Sequence, residues 1–285
     1  EVRYPEQGSS SVLAAGSDEV YKVFHSGCDN GQYGVAVIIN SRLSSAVTDF
    51  RVVSDRICYI TIQAKPMNLT IVSAYAPTNE HDSCYRQAFF DMLQTVVSSI
   101  PKKDFLITGI DANRKLGQGL PTSRHVGPFM TGTQCGNGGL LRDFMTSQNL
   151  AGANTFFQHK LRHKVTWSSA SGKVQNEIDY ILVHCRWHSS VQNARAYWGA
   201  CSLASSGHVL VCSVLHLRLN IQKQKWATMK FNTAMLKLPH IVSRFRQTVV
   251  EKLMSSQPQA AIDSNSERIN KVLMEAGKET LTKHK

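Results

Sequence analysis

The sequence predicts an α/β fold with a substantial antiparallel component over residues 1–219, followed by an all-helical segment over residues 220–285. Three observations predict it. Short apolar runs with strand chemistry recur through the first part, interrupted by only two stretches with helical spacing. Strand patterning then stops, and two long helical patterns with charged faces follow. The charge divides at the same place: residues 1–219 hold 20 Lys and Arg against 15 Asp and Glu, whereas residues 220–285 hold 12 against 5. With 285 residues and 42% hydrophobic content, the chain can bury one large core and carry an appendage.

Taken in order, residues 1–20 mix Pro, Gly and Ser without periodicity and are expected to be loop. Residues 21–24 form a short strand, followed by a turn over 26–34 and a continuous apolar strand over 35–39. Strands over 56–63 and 68–76 flank the turn Lys65-Pro66-Met67-Asn68, which suggests a hairpin. Between residues 82 and 100 the period changes. Tyr85, Phe89, Met92, Leu93, Val96, Val97 and Ile100 recur every three or four positions, with Asp82 or Ser83 as N-cap and Pro101 past the end. A strand over 105–108 follows, then a Gly-rich loop over 117–139 and a short helix over 140–148 with Leu140, Leu141, Phe144 and Met145 inward. Residues 153–157, 164–168, 177–183, 191–197 and 208–219 are expected to be strands. The terminal segment gives helices over 239–254 and 262–281.

The formal net charge of +12 favours nucleic acid or another polyanion as partner. Seven cysteines, an odd number with no C-x-x-C pair, argue against a disulfide framework or a zinc site and for reduced thiols in an intracellular setting, nuclear or cytoplasmic. No apolar run approaches a membrane span, and no targeting segment is visible in a chain that starts at Glu1.

Several polar groups sit where strands end. Asp111 and Asn113 follow an apolar strand, and their i, i+2 spacing directs both to one side. A carboxylate there can take a proton from water and an amide can orient it, though the same residues also make an ordinary turn. Tyr75 ends another strand and can donate to a phosphate oxygen, or it is a half-buried strand tyrosine. Asp179 interrupts an apolar strand, where a carboxylate needs a partner unless it lies on a wet edge. His208 opens a further strand. Beside an Asp it would be oriented and held cationic; alone it merely starts the strand. Basic residues crowd the stretch 156–167, which reads equally as a DNA-contacting hairpin tip or a solvated one.

In this order the phrases Ser-Ala-Tyr-Ala-Pro-Thr (73–78), Asp-Ala-Asn-Arg-Lys-Leu-Gly (111–117), Asn-Thr-Phe-Phe-Gln-His-Lys (154–160), Thr-Trp-Ser-Ser (166–169), Ile-Asp-Tyr-Ile-Leu-Val (178–183) and Ser-Gly-His-Val-Leu-Val (206–211) resemble the endonuclease/exonuclease/phosphatase superfamily. More narrowly they resemble the apurinic-type endonuclease domain of non-LTR retrotransposons. The resemblance covers residues 1–219. It implies a four-layered α/β sandwich, two packed and mainly antiparallel sheets flanked by helices, here lacking its first strand. Residues 220–285 resemble the basic helical connector to a reverse transcriptase domain.

The resemblance implies a Mg²⁺-dependent DNA endonuclease nicking one strand, with Mn²⁺ as the alternative ion. Tyr75 would contact the scissile phosphate, Asp111 would position or deprotonate the attacking water and Asn113 would help hold it. Asp179 would pair with His208, which stabilises the phosphorane charge. Glu1 would bind the metal, and Arg114, His159, Lys160, Arg162 and Thr166 would contact DNA. The family's Ser-Asp-His is Ser206-Gly207-His208 here, which implies an impaired copy. That departure also sustains a rival reading, an inactive remnant that binds nucleic acid or protein. A lipid or inositol phosphatase on the same fold is a third reading, opposed by the basic tail.

Overall fold

The computed structural model describes residues 2, 4–14, 16–27, 33–118, 121–132, 138–200, 207–221, 231–255 and 262–281, the last helix by its side chains only from residue 269. Contacts divide the chain into two compact units, Glu1–Gln224 and Lys225–Lys285.

The first unit begins with a three-stranded antiparallel sheet of β1 (Gly8–Leu13), β2 (Val20–His25) and β3 (Ala36–Asn40), with the short α1 (Ser41–Ser44) after it. Next come β4 (Val47–Ser54), β5 (Ile57–Ile62), the two-residue β6 (Ala64–Lys65) and β7 (Leu69–Tyr75), then α2 (Ser83–Ser99), β8 (Phe105–Asp111), α3 (Gly138–Ser147) and β9 (Leu150–Gly152). The short β10 (Trp167–Ser168) and β11 (Gln175–Asn176) pair with each other. β12 (Asp179–His184), β13 (Val191–Tyr197), β14 (Leu210–Leu215) and β15 (Asn220–Ile221) complete the unit.

The organising sheet has six strands in the order β4-β5-β7-β8-β12-β9. Only β7 and β8 run parallel, and α2 makes the crossover between them. α2 forms where the apolar period of three to four predicts it, and Asp82 caps it by accepting from the Tyr85 amide at 2.7 Å. Its buried side chains are Phe89, Phe90, Leu93, Val96 and Val97. Each is worth roughly 1.5–3 kcal/mol over leaving it exposed. Tyr85 and Met92 from the expected stripe lie outside the core, at 45% and 40% exposure, and Phe90 takes the inward place.

The strands of the sheet are buried on both faces. Ile57, Val72, Ala74, Leu106, Ile110, Tyr180 and Leu182 pack on the helical side, with α2 and α3. Cys58, Ile60 and Ile62, with Leu69, Ile71 and Tyr75, pack on Phe24, Val37 and Ile39 of the three-stranded sheet. β13 and β14 pair antiparallel, and Val191 and Ala194 of β13 meet Val183 and Ile181 of β12 on that same face. The result is a mixed α/β sandwich of helices, sheet and second sheet layer.

Four expectations are corrected. β1 lies where loop was expected: Ser9, Ser10 and Ser11 hide the strand signal, and pairing with β2 supplies it. β4 was not predicted at all, because its polar residues alternate irregularly on an edge strand. Residues 153–155 form a 3-10 turn rather than a strand. Of the expected strand over 164–168 only Trp167 and Ser168 pair, with β11, so the basic stretch before them is not a hairpin tip but a 3-10 turn over Leu161–His163.

The second unit contains a 3-10 turn (Thr233–Lys237), α4 (Pro239–Ser255) and α5 (Ile262–Thr280). Lys252 of α4 reaches Glu279 at 2.8 Å and Glu275 at 3.7 Å across the pair, while Val272 and Ala276 are buried. A Cβ at Gly277 would stand 2.7 Å from the Phe231 ring, so a larger residue there would need that ring to shift. Among the described residues, no helix is long and apolar enough to cross a membrane.

Candidate active site

Register builds the site. Tyr75 is the β7 partner of Asp111, and Asp179 is its β12 partner, so the three residues form one row across three adjacent strands. Residues in one row point to one face. Alternation puts Ile110, Ala112 and Tyr180 toward the helices, so Tyr75, Asp111 and Asp179 point toward the second sheet layer. His208 comes from that other layer, two residues before β14, through a bridge to Trp167. The row and the histidine meet where the two layers open at their strand ends.

The contacts are short. His208 Nδ1 lies 3.2 Å from Asp179 Oδ2 and 3.3 Å from Oδ1, and Nε2 lies 3.7 Å from Asp111 Oδ2. The imidazole bridges two carboxylates. The ring is 33% exposed and the carboxylates 17% and 21%, so the group is sheltered yet open to a ligand. The Asn113 amide N–H donates to Asp111 Oδ1 at 3.0 Å, and its side-chain Nδ2 donates to the Ala76 carbonyl at 2.8 Å. Asn113 has φ +48°, a left-handed conformation that asparagine tolerates. It locks the β8 turn to the end of β7 and aims the Asp111 carboxylate.

Burial and the neighbouring Asp179 charge push the Asp111 carboxyl up to about 7, against the opposing pull of His208 and the Asn113 amide. Burial disfavours the His208 cation, but its bond to Asp179 and the charges of both aspartates outweigh that, so His208 titrates above its ordinary range. Donor atoms of Asp111, Asp179 and His208 lie within 4.8 Å of one another, so one ion can touch all three. The two carboxylates suit a hard divalent cation such as Mg²⁺ or Mn²⁺, whereas the imidazole would suit a softer first-row ion. Glu1, the metal ligand expected from the sequence, lies outside the described residues.

Two expected DNA contacts, Arg114 and Thr166, are corrected. Arg114 is 1% exposed: its Nη1 donates to Asn79 Oδ1 at 2.9 Å and its guanidinium faces the Phe90 ring, so it serves the core. Thr166 is also 1% exposed, and its hydroxyl oxygen accepts from the Ile178 and Asp179 amides at 3.0 and 3.1 Å. Thr166 holds Asp179 instead of touching DNA. His159 is bonded through Nε2 to Asn193 Oδ1 at 2.8 Å. Lys160 and Arg162 are exposed.

The sequence reading missed what supports the row. Arg56, 3% exposed, accepts the Tyr75 amide on its carbonyl at 2.9 Å and lies over the Tyr33 and Tyr75 rings at 3.8 and 5.1 Å. Behind Asp179 lie Asn154, Lys164 and Glu177, all at most 4% exposed. The available cue was the charge of Arg56, Lys164 and Glu177, each set next to apolar strand residues, where an unpaired charge is costly.

Gly207 has φ +73°, and a Cβ there would stand 2.3 Å from the Ser168 carbonyl oxygen. A side chain would be strained on both counts. Gly207→Asp is therefore expected to lower stability by about 1–2 kcal/mol from backbone conformation alone, which urea unfolding measures.

No family profile matches the chain. Craniofacial development protein 2 of Tragulus javanicus is 38% identical over 191 residues, 66% of this chain and 32% of the relative, and that of Bos taurus is 37% identical over the same length. The chain thus spans about a third of the length of these curated relatives. The AP endonuclease LMAP from Leishmania major overlays with a TM-score of 0.51 at 12% identity, covering 69% of this chain and 71% of that one. The endonuclease domain of TRAS1, a telomere-specific non-LTR retrotransposon, overlays with a TM-score of 0.49 at 18% identity, covering 72% and 81%. The chain is similar in sequence to craniofacial development protein 2 and has the fold of the endonuclease/exonuclease/phosphatase superfamily.

Proposed function

We propose that this chain hydrolyses phosphodiester bonds in DNA, nicking one strand, in a reaction dependent on Mg²⁺. The observation that carries the reading is the histidine bracketed by two carboxylates at the end of a three-strand row. In-line attack on a phosphodiester needs a water-activating base and a positive group at the phosphate. Asp111, ionised, takes the proton of the attacking water. Asn113 keeps its carboxylate in place. Asp179 fixes the His208 ring, whose charge offsets the negative charge that builds on the phosphorane. The Tyr75 hydroxyl donates to a non-bridging phosphate oxygen. Of this cluster, the Asp111 and Asp179 carboxylates would hold the ion, which supplies Lewis-acid charge neutralisation when bound; His208, as the cation, would not ligate it. Lys160, just before the 3-10 turn, and Arg162 on it are both exposed and attract the DNA backbone.

We also propose a retrotransposon-type origin, with residues 1–219 as the nuclease domain and 220–285 as a basic connector to a reverse transcriptase. Nicking is expected to be slow, because Gly207 stands where the family phrase has Asp. An inactive DNA-binding remnant is the rival that Gly207 favours. Supercoiled plasmid incubated with the chain and Mg²⁺ separates the two: relaxed circles that chelation abolishes support the nuclease, and salt-sensitive DNA binding without relaxation supports the remnant.

The nicking rate should form a bell against pH. Asp111 is active when ionised, so the rate rises through about 7 as its carboxyl loses its proton. It falls again as the raised His208 cation is lost at higher pH than a free imidazole. A rate that only decreases between pH 5 and 8 would remove Asp111 from the role of base.

A further inference from the structure

We infer that Asn154 is a positioning residue for the Asp179–His208 pair, standing in for a strand at the one place where β12 has no strand on its outer side. β12 pairs with β9 only through Leu182↔Gly152, Val183↔Ala151 and His184↔Leu150. Beyond Gly152 the chain turns into the 3-10 segment Ala153–Thr155, so no backbone continues that ladder to Asp179. The Asp179 carbonyl and the Ile181 amide both face the vacated side. The side-chain amide of Asn154 meets them as a peptide group would: Nδ2 donates to Asp179 O at 3.2 Å, and Oδ1 accepts from Ile181 N at 3.3 Å. Thr166 supplies the other half, its hydroxyl accepting from Asp179 N at 3.1 Å. Both backbone polar groups of Asp179 are therefore held by side chains.

Asn154 is itself held from behind. Its Nδ2 also donates to Glu177 Oε1 at 3.0 Å, and Glu177 is fixed by Lys164 at 3.2 Å and by the Thr131 hydroxyl, which donates to Oε2 at 3.2 Å. The Lys164 ammonium donates in turn to the Asn154 carbonyl. All of these but Thr131 are buried, so the set is rigid by satisfaction of its polar groups rather than by solvent-exposed contacts. A strand would have held the β12 backbone equally well. Two side chains instead place the pivot of the Asp179 carboxylate under the control of buried residues outside the His208–carboxylate cluster.

The test uses the full chain and has two readouts. Asn154→Ala should lower kcat for plasmid nicking by about 100-fold with KM within about twofold, since substrate contacts are intact. It should also shift or abolish the imidazole Nδ1–H resonance of His208 in an NMR spectrum, assigned by its absence in His208→Asn, while amides outside the β12 start keep their positions. Thr166→Val should behave as Asn154→Ala does, and Thr166→Ser, which keeps the hydroxyl, should restore both readouts. An unmoved resonance with unchanged kcat in a folded Asn154→Ala overturns the inference. If that variant does not fold, wild-type behaviour of Thr166→Val overturns it. The kinetic readout rests on the proposed nuclease activity and the resonance does not: a wild-type chain that fails to nick DNA defeats that activity, while the resonance still decides the positioning role.

Discussion

Asp111→Asn is expected to cut the nicking rate by about 10²–10⁴-fold, the range contributed by a positioned general base. Asparagine matches aspartate in shape and still accepts the Asn113 amide through its Oδ1. The β8 turn and its ladder to Tyr75 and Asp179 stay in place. What is removed is the group that accepts a proton. The same substitution should stabilise the fold at neutral and higher pH. The folded state holds this carboxyl at about 7, above its ordinary 3.8. A carboxyl raised in this way opposes folding once the unfolded chain ionises, a penalty that grows with pH from about 4 and is complete above about 7. Neutral asparagine escapes it, so the melting temperature of Asp111→Asn should exceed that of the wild type at pH 8 and match it at pH 4. Activity and stability then move in opposite directions, which a merely structural residue does not do. A variant that nicks within tenfold of the wild type would remove Asp111 from the chemistry.

Glu177→Ala is expected to destabilise the protein by about 3–5 kcal/mol, because it leaves the Lys164 ammonium buried without its counter-charge. Both partners are 3% exposed and lie 3.2 Å apart. Burial lowers the Lys164 titration and raises that of Glu177, each opposed by the other's charge, which shows that neither is comfortable as an ion alone. The substitution also strips an acceptor from Asn154 and Thr131. Replacing the pair together, Lys164→Met with Glu177→Leu, should recover most of the loss, since an apolar pair needs no counter-charge. Urea unfolding measures both. A loss below about 1 kcal/mol in Glu177→Ala would mean that water reaches Lys164 and that the pair is not the brace described above.

The most legible elements were those whose pattern is local. The spacing of Phe89, Leu93, Val96 and Val97 fixes the buried face of α2, and Asp82 marks its start. The apolar runs on either side of Pro66 pair as β5 and β7. The helices of the terminal segment follow their periodicity to within a residue. The illegible elements are those whose form depends on a distant partner. Gly8–Leu13 is a strand because Val20–His25 lies beside it, and its serines say nothing of that. Arg114 sits in a motif beside Asp111 and looks exposed in one dimension, but the loop returns it to Asn79 and Phe90. Thr166 and Asn154 resemble ordinary polar loop residues until the end of β12 is seen to lack a neighbour.

By itself the sequence determined the alternation of strands with two helices, the helical basic tail, and the order of polar residues at the strand ends, because side-chain periodicity and turn chemistry act over a few residues. The tertiary structure alone decided that Tyr75, Asp111 and Asp179 share one row, that His208 bridges the two carboxylates, and which buried residues brace them. Those facts depend on strand register and on the meeting of two layers. Register is set by hydrogen bonds between residues as far apart as 111 and 179, and no local pattern encodes which residue will stand opposite which.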